Sequence, residues 1–293
     1  MYELIQVGNN TFYMDSPNKI GFYRYDNNKI YLIDSGNGKD YAKKVLKILD
    51  EKGWELEGII NTHSHADHIG GNDTLEKRTG CKISTNEIEH AFTKYTILEP
   101  AFIYGAYPPK RLQKKFLMAK SSNASVDLNN IPKGLEIINL PGHSYDMIGV
   151  RTDDNVYFVG DSLFPKEVLN KYHIATIYNI KNFLSTLDYL ETLKGDFFIP
   201  THAEASINLK NLIELNRNKV FEIINLLLDI LKRPLSLNVI TKKVFDYYQI
   251  EINYVQYHLV EGTLKAFISY LIDEKKVDVI FDNNFLLYCL REN

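Results

Sequence analysis

One short segment of the chain places three imidazoles and one carboxylate within six residues, His63-Ser64-His65-Ala66-Asp67-His68. Neutral imidazole nitrogen and carboxylate oxygen are ligands that suit zinc and other divalent transition metals. Two histidines one residue apart, followed by an aspartate and a third histidine, allow a single turn of backbone to face two neighbouring metal ions. This segment alone predicts a metal site.

Three further residues of ligand type, His143, Asp161 and His202, lie downstream. Each ligand motif follows an apolar, β-branched run that predicts a buried strand; these runs are 56–61, 135–140, 156–159 and 197–199. A single histidine beside a strand is usually an ordinary polar residue, but here five of the eight histidines join two aspartates in one ordered pattern. A protein core gains nothing from so many desolvated imidazoles, so we expect a metal site. The other histidines, His90, His173 and His258, are interpreted as structural or surface residues.

In these motifs the sequence resembles the metallo-β-lactamase superfamily, whose pattern is H-x-H-x-D-H followed in order by a His, an Asp and a His. All seven positions match, and the resemblance runs from about the N-terminus to His202. It implies an α/β fold, an αββα sandwich with two metal ions along one edge. By the same resemblance, His63, His65 and His143 hold the first metal, Asp67, His68 and His202 hold the second, and Asp161 bridges both.

The expected cofactors are two zinc ions, with iron or manganese as alternatives. Paired metals lower the pKa of a shared water molecule, which becomes hydroxide near neutral pH, and they polarise the bond to be cleaved. Asp67 is expected to orient this nucleophile as the catalytic carboxylate. The β-lactam-opening subclass B1 enzymes carry Cys where this chain has Asp161, so a β-lactam-opening activity is not favoured. The diiron oxygen reductases carry Glu in the second ligand position and lack a counterpart of His68, so an electron-transfer role is not favoured either. An aspartate bridge resembles that of glyoxalase II-like thioesterases, lactonases and phosphodiesterases.

The sequence therefore predicts a dinuclear metal-dependent hydrolase that acts on a small ester, thioester or lactone. A phosphodiesterase or endoribonuclease with the same two metals is the first alternative. The second is a protein without hydrolytic activity, either a mononuclear iron oxygenase or a metal-binding interaction module. A small-molecule substrate, anionic if the basic segment described below covers the site, is the expected partner.

The elements around the first motif are predicted from hydrophobic periodicity. Two largely apolar runs over 20–25 and 30–33, separated by Asp26-Asn27-Asn28, predict a hairpin that ends at Asp34. In the family this aspartate orients ligand histidines, although a turn-initiating aspartate is an equally good interpretation of the spacing. Residues 39–52 have the spacing of an amphipathic helix.

Two loops are candidates for substrate specificity. Residues 95–127 combine aromatic side chains with a basic run, Lys110–Lys120, that contains no acid. The segment is either a lid over an anionic substrate or a short helix with a solvated basic face after a Pro-Pro turn. The loop after Asp161 carries Tyr172 and His173, each interpreted either as a hydrogen-bond donor to the substrate or as an ordinary packed or surface side chain.

The composition changes after His202, and we predict a catalytic domain over residues 1–205 and a smaller one over 206–293. The latter shows three helical segments, 211–231, 236–248 and 253–273, then two strands joined by Asp282-Asn283-Asn284. This order is similar to a winged helix, as in some family hydrolases including a group of endoribonucleases. Its acids and bases are balanced, which does not favour duplex binding. It is interpreted as a structural or dimerising unit, consistent with a homodimer, that also walls the cleft.

Overall composition bears on nucleic-acid binding, membrane contact and disulfide formation. The 293 residues carry a net charge of −3 and a pI near 6.3, which does not favour a nucleic-acid-binding surface over the whole protein, although a local patch stays open. No apolar run approaches the ~20 residues that span a bilayer, and the first residues lack a signal-peptide pattern, so a cytoplasmic protein without membrane contact is expected. Cys81 and Cys289 are far apart in sequence, and no structural disulfide is expected.

Overall fold

The computed structural model describes residues 2–251 and 253–291. Its strands are β1 (Glu3–Gln6), β2 (Thr11–Asp15), β3 (Ile20–Asp26), β4 (Lys29–Ile33), β5 (Glu55–Ile60), β6 (Lys82–Ser84), β7 (Ala124–Ser125), β8 (Leu135–Asn139), β9 (Ile148–Thr152), β10 (Val156–Gly160), β11 (Phe197–Pro200), β12 (Val277–Asp282) and β13 (Phe285–Leu290). Its helices are α1 (Lys39–Lys52), α2 (Ala66–Ile69), α3 (Asn72–Thr79), α4 (Glu87–Lys94), α5 (Leu98–Tyr104), α6 (Lys166–Tyr172), α7 (Ile180–Thr192), α8 (Lys210–Ile230), α9 (Leu237–Tyr248) and α10 (Tyr254–Asp273).

Two sheets pack face to face at the centre of the fold. The first has the order β1-β2-β3-β4-β5-β6-β7 and the second β11-β10-β9-β8. Both faces of strand β4 are buried. Tyr31 and Ile33 join the core between the sheets, whereas Ile30 and Leu32 face the helices on the other side. A strand buried on both faces needs apolar residues at both parities.

Helices cover the outer faces of both sheets. Helix α1 has the bounds predicted from its periodicity and buries Ala42, Val45 and Leu49 against the first sheet. Helices α7 and α8 contribute to the core on the outer side of the second sheet, where Phe183 and Val220 are buried. The order helix, sheet, sheet, helix is the predicted αββα sandwich.

Strand direction brings several strand ends to one edge of the sandwich. In the first sheet β4, β5 and β6 run parallel. In the second sheet β8 and β10 are both antiparallel to β9, and β11 is parallel to β10, so β8, β10 and β11 share one direction. Side chains that follow the carboxyl ends of these strands can therefore meet.

The elements predicted after residue 206 are present in the predicted order. Helices α8, α9 and α10 precede the hairpin β12–β13, and Asn253 Oδ1 caps α10 by accepting hydrogen bonds from the backbone N–H groups of Val255 and Gln256. These helices share one apolar core with α7, through residues such as Leu187, Leu264 and Phe267. The winged-helix resemblance and the division at residues 205 and 206 stay predictions. The outer bounds, residues 1 and 293, lie outside the described residues.

The interpretation of the basic run as a helix is wrong. Lys110–Lys120 forms successive turns, and the helix of this region, α5, lies before Gly105. Cations three and four residues apart repel one another on a helix, and the run contains no acid to pair with them. The segment is held instead by the buried side chains of Leu112 and Leu117, while the basic side chains point outward.

Cys81 and Cys289 are both free thiols. Among the helices of the described residues, none combines the length and the apolar character needed to cross a bilayer.

Candidate metal centre

Three of the predicted ligands converge through their imidazole nitrogens. His65 Nδ1 lies 3.0 Å from His63 Nε2 and 2.9 Å from His143 Nε2. These atoms cannot all satisfy one another as donors and acceptors, but nitrogens that point at a common centre are the arrangement of a metal site. His63, His65 and His143 thus form a first group that could hold a metal ion.

The remaining ligand-type residues meet directly beside this first group. His202 Nε2 lies 3.3 Å from Asp67 Oδ2 and 3.1 Å from Asp161 Oδ2. Asp161 also approaches His68 Nε2 through Oδ1, at 3.3 Å, and His143 Nε2 through Oδ2, at 3.6 Å. Asp161 therefore lies between the two groups, where the resemblance places a bridging carboxylate. We refer to all seven residues as the ligand cluster: His63, His65, Asp67, His68, His143, Asp161 and His202.

Two polar atoms of the ligand cluster are buried and make no hydrogen bond of acceptable geometry with the described residues, although they lie 3.3 Å from each other. They are His68 Nε2 and Asp161 Oδ1. Burial of an unpaired polar atom costs free energy that a structure normally avoids. A metal ion coordinated by both atoms would remove this cost, so the donor set fits the metal that the sequence predicts.

The first group consists of neutral imidazoles. Burial, together with the neighbouring imidazoles, lowers the pKa of His63 well below its usual value and that of His143 to about 4. The pKa of His65 is lowered mainly by burial as well. Neutral imidazole is the form that binds a metal ion, so these side chains are prepared for coordination without loss of a proton.

The second group is charged when no metal is bound. Burial would lower the pKa of His68, but Asp161, Asp34 and Asp67 together raise it well above its usual value. Burial would also lower the pKa of His202, but Asp161 and Asp67 raise it to about 10. Burial would raise the pKa of Asp161, but His202 and His68 hold it well below its usual value. These are buried ion pairs in which a metal ion would replace the protons.

The other ring nitrogens of the cluster have fixed partners. His68 Nδ1 lies 2.8 Å from Asp34 Oδ2, and Asp34 also accepts hydrogen bonds from the backbone N–H and hydroxyl of Thr62. His143 Nδ1 lies 2.8 Å from the carbonyl of Thr176, and His202 Nδ1 lies 2.9 Å from that of Pro17. Such partners fix the ring orientation and the tautomer of ligand histidines. Asp34 therefore has the position that the resemblance implies, and its left-handed backbone (φ 62°) is one that aspartate tolerates better than most residues.

The backbone conformation before His143 depends on Gly142. Its φ of 131° is unfavourable for other residues, and a Cβ there would lie 2.4 Å from the backbone nitrogen of Phe183 in α7. The close contact with α7 places His143 at the carboxyl end of β8, next to the loop that carries His65.

Glu89 of α4 is a residue of this site that sequence reasoning missed. Its side chain is fully buried and its carboxylate oxygens accept hydrogen bonds from both ligand loops. Oε2 accepts from the backbone N–H and hydroxyl of Ser64, and Oε1 accepts from the hydroxyl of Ser144 and the backbone N–H of Asp146. Glu89 thus fixes the loop of His63 and His65 to the loop of His143, although no local pattern around it predicts this role.

A cleft of about 300 Å³ opens beside His65 and His143. Of the residues named from the sequence, Tyr172 and His173 are not among its described lining residues, and His173 stacks on Tyr248 instead. The interpretation of His173 as an ordinary packed side chain therefore fits the structure better than that of a substrate donor. Tyr145 and Tyr178 line the cleft in their place, with ring centroids 4.1 Å apart.

Helices α5 and α10, which are distant in sequence, form walls of this cleft. Helix α5 contributes Glu99 and Phe102, and α10 contributes His258, which contacts the ring of Tyr104. His258 therefore lies at the cleft wall, where the sequence had suggested only a structural or surface role. Burial, with Glu89 nearby, raises the pKa of Glu99 to about 8, and Glu99 Oε1 lies 3.6 Å from His65 Nε2.

The basic run Lys110–Lys120 lies outside the lining of the cleft that the described residues form. Its contact with the cleft wall is indirect, because the guanidinium of Arg111 lies over the ring of Tyr254 at 4.9 Å. The aromatic part of the segment 95–127 thus borders the cleft, whereas the cationic part does not. This arrangement gives no support to a cationic lid over an anionic substrate.

Sequence comparison identifies related proteins that are named as hydrolases. The family model described as the metallo-beta-lactamase superfamily matches residues 15–202. A hydroxyacylglutathione hydrolase of Shewanella pealeana is 30% identical over 135 residues, which cover 46% of this chain and 42% of the relative. A probable metallo-hydrolase of Methanocaldococcus jannaschii, MJ0888, is 26% identical over 201 residues, 64% of this chain and 92% of the relative. The chain thus spans less than half the length of the hydroxyacylglutathione hydrolases it matches.

Solved structures share the fold over nearly the whole chain. A beta-lactamase domain protein from Burkholderia ambifaria superimposes with a TM-score of 0.74 at 15% identity, covering 98% of this chain and 94% of the other. The metallo-beta-lactamase family protein TTHA1429 from Thermus thermophilus gives a TM-score of 0.72 at 19% identity, with coverages of 99% and 98%. At these identities the likeness concerns the fold alone, and it includes the helices that follow residue 205.

Proposed function

The chain belongs to the metallo-β-lactamase superfamily, and we propose that it is a metal-dependent hydrolase with two zinc ions, acting on a small ester, thioester or lactone. The observation that carries the proposal is the ligand cluster, in which two groups of side chains meet at Asp161 and leave His68 Nε2 and Asp161 Oδ1 without other partners among the described residues. The relatives named hydroxyacylglutathione hydrolase support the thioester as the first substrate class to test.

In this proposal the two ions are held by different side chains. His63, His65 and His143 would hold the first ion, Asp67, His68 and His202 the second, and Asp161 both. Zinc ions held in this way would supply a water molecule with a pKa near neutrality and a Lewis acid for a carbonyl oxygen. Asp34, Thr176 and Pro17 keep three of the histidine rings in orientation through their outer nitrogens.

Asp67 is suited to orient the attacking water. Its side chain is 33% exposed, whereas that of Asp161 is 6% exposed. Asn18 donates a hydrogen bond from Nδ2 to Asp67 Oδ2 at 2.7 Å, which fixes the carboxylate. An accessible and fixed carboxylate can accept a hydrogen bond from a water molecule and direct its lone pair toward the substrate.

The cleft supplies the remaining interactions with a substrate. Tyr178 lies in the lining, and a tyrosine hydroxyl can donate a hydrogen bond to a carbonyl oxygen as negative charge develops on it. Lys265 is the single cationic side chain among the described lining residues, and it pairs with Glu261 at 3.2 Å. A polyanion needs several uncompensated cations, so the cleft favours a small ester over a phosphodiester polymer.

The test combines elemental analysis of the purified protein with turnover of thioester, lactone and phosphodiester model substrates. We expect two zinc ions per chain and thioester or lactone turnover. Asp161→Ala should lose the greater part of the bound metal and all measurable turnover, because it removes the carboxylate shared by both groups. His90→Ala, which changes a histidine outside the ligand cluster, should retain both. Full metal occupancy in the Asp161 variant, or one iron and no hydrolysis in the parent protein, would contradict the proposal.

A further inference from the structure

Gly262 occupies a position in α10 where glycine is not required by the fold. It lies in the interior of a helix of 20 residues, where glycine is less favourable than alanine. Apart from its chain neighbours and the nearby backbone of its own helix, a Cβ built at Gly262 meets no heavy atom within 4 Å, so the described surroundings do not demand the absence of a side chain. Its backbone is also not left-handed, since it is not one of the positive-φ glycines. Neither packing nor backbone conformation explains this glycine.

Gly262 lies on the face of α10 that lines the cleft, and this position offers a reason for the glycine. His258, Gly262, Lys265 and Ser269 are separated by the steps of one helix face, and all four line the cleft beside the candidate metal centre. A side chain at position 262 would project into this space. Glycine therefore leaves room in the wall of the cleft that faces α5 and the Tyr178 loop.

The surfaces around this space are mainly apolar. Phe102 and Ile103 of α5 lie in the lining together with Leu259 and Ala266 of α10 and with Ile177. The ammonium of Lys265 is directed to Glu261, within its own helix, and is compensated there. The polar side chains Ser64 and Glu99 belong to the part of the lining that includes His65. The cleft is thus polar near the ligand cluster and mainly apolar elsewhere, although α10 also contributes His258, Lys265 and Ser269 to its wall.

We propose that the space left by Gly262 is a subsite for an uncharged apolar group of the substrate, such as the alkyl chain of an acyl ester or thioester, and that Gly262 determines how long a chain it accepts. The inference rests on the proposed hydrolase function for its kinetic consequences, but the binding of an apolar chain does not depend on catalysis. Burial of one methylene group contributes about a fourfold gain in binding, so chain length is a sensitive probe.

The kinetic test uses acyl thioesters of N-acetylcysteamine from acetyl to decanoyl. We expect kcat/KM to rise with chain length in the parent protein, by up to about fourfold per methylene until the cleft is filled. Gly262→Leu should lower kcat/KM for the octanoyl substrate at least tenfold and change that for the acetyl substrate less than about twofold. Gly262→Ala should give a smaller loss for long chains together with a higher Tm, because alanine stabilises the helix.

The control variant is Asn218→Leu, which adds the same side chain at an exposed position of α8 outside the cleft lining and leaves the net charge unchanged. Its chain-length profile should match that of the parent protein. If Gly262→Leu keeps the octanoyl preference, or loses activity equally on acetyl and octanoyl substrates while its Tm is normal, the subsite is not at Gly262.

A binding measurement separates this inference from the proposed function. The S-octyl and S-ethyl thioethers of N-acetylcysteamine are unreactive analogues whose affinity can be measured by calorimetry. The octyl compound should bind at least tenfold more tightly than the ethyl compound to the parent protein, with a negative heat-capacity change, and this preference should disappear in Gly262→Leu. Octyl selectivity without turnover of any substrate would contradict the hydrolase proposal alone. Turnover without octyl selectivity would contradict the subsite alone.

Discussion

At the scale of single residues, Asp34 shows how a side chain outside the ligand cluster can control it. Asp34 is buried, and its two oxygens accept hydrogen bonds from Thr62 while Oδ2 faces His68 Nδ1 at 2.8 Å. A carboxylate in this position holds the imidazole ring so that Nε2 points toward Asp161, and it makes that nitrogen more basic. The contact of Asp34 with Nδ1 thus fixes the orientation of the His68 ring.

Asp34→Asn should therefore weaken metal binding while the fold is retained. The amide keeps the shape of the side chain but removes the charge that raises the basicity of His68. We expect a 10- to 100-fold loss of zinc affinity, the range found for such outer partners, measured by competition with a chromophoric chelator. Asp40→Asn, at an exposed position of α1, is the matched control and should leave the affinity unchanged. Equal affinities in all three proteins would show that Asp34 does not act through His68.

At the scale of elements, α4 acts as a connector between two ligand loops that are about 80 residues apart in sequence. Only Glu89 of this helix reaches both loops through side-chain hydrogen bonds in the described structure. All four groups that face its oxygens are donors, so the position requires an acceptor at both oxygen atoms. An amide offers one acceptor and one donor group, and the donor would face another donor.

Glu89→Gln tests this connection. We expect a loss of about 1–3 kcal/mol in the free energy of unfolding, because at least one buried donor is left unpaired. Metal affinity should fall as well, since His65 and His143 are then less firmly placed relative to each other. Denaturant unfolding and zinc competition measure the two effects. Glu87→Gln, an exposed substitution at the start of the same helix, should change neither. A Glu89 variant with parental stability would mean that the loops hold their places without it.

The elements also show what the sequence could and could not predict. Helix α1 and strands β4 and β10 follow from periodicity and apolar runs, because burial of those faces is determined within the segment itself. The seven candidate ligands are identified from their order, which resembles that of the family, and their proximity follows from the shared direction of the strands they follow. The roles of Glu89 and Asn18 could not be predicted, because their partners are distant in sequence and nothing local distinguishes them from ordinary residues of helices and turns. The turns of Lys110–Lys120 depend on tertiary anchors at Leu112 and Leu117.

At the scale of the whole molecule, the proposed metal binding should be coupled to folding. The ligand cluster combines residues that follow β5, β8, β10 and β11, so its geometry requires both sheets to be packed together. The unfolded chain cannot present these ligands together, and a metal ion that binds only the folded form stabilises it by mass action. The size of this stabilisation must depend on pH, because His68 and His202 carry protons that the metal displaces.

The sign of this dependence follows from the direction of the two pKa shifts. Both histidines have a raised pKa in the metal-free protein, to about 10 for His202, so both are protonated at neutral pH. Their ion pairs with aspartates stabilise the metal-free fold, and this contribution is present in full below the ordinary pKa of histidine and is lost as pH rises toward the raised values. Metal binding must release about two protons, and its apparent affinity increases with pH over the same range.

We therefore expect zinc to raise Tm, and to raise it more at pH 8 than at pH 6. A free zinc concentration near 1,000 times Kd gives about 4 kcal/mol, or roughly 8–16 °C for a chain of this size. Each displaced proton adds up to about 1.4 kcal/mol to the free energy of binding per pH unit. Calorimetric scans with zinc and with a chelator at both pH values measure the difference, and scans in Asp161→Ala provide the background from zinc bound elsewhere. The increase should be small in that variant. An equal zinc effect at pH 6 and pH 8 would mean that His68 and His202 are already neutral before the metal binds.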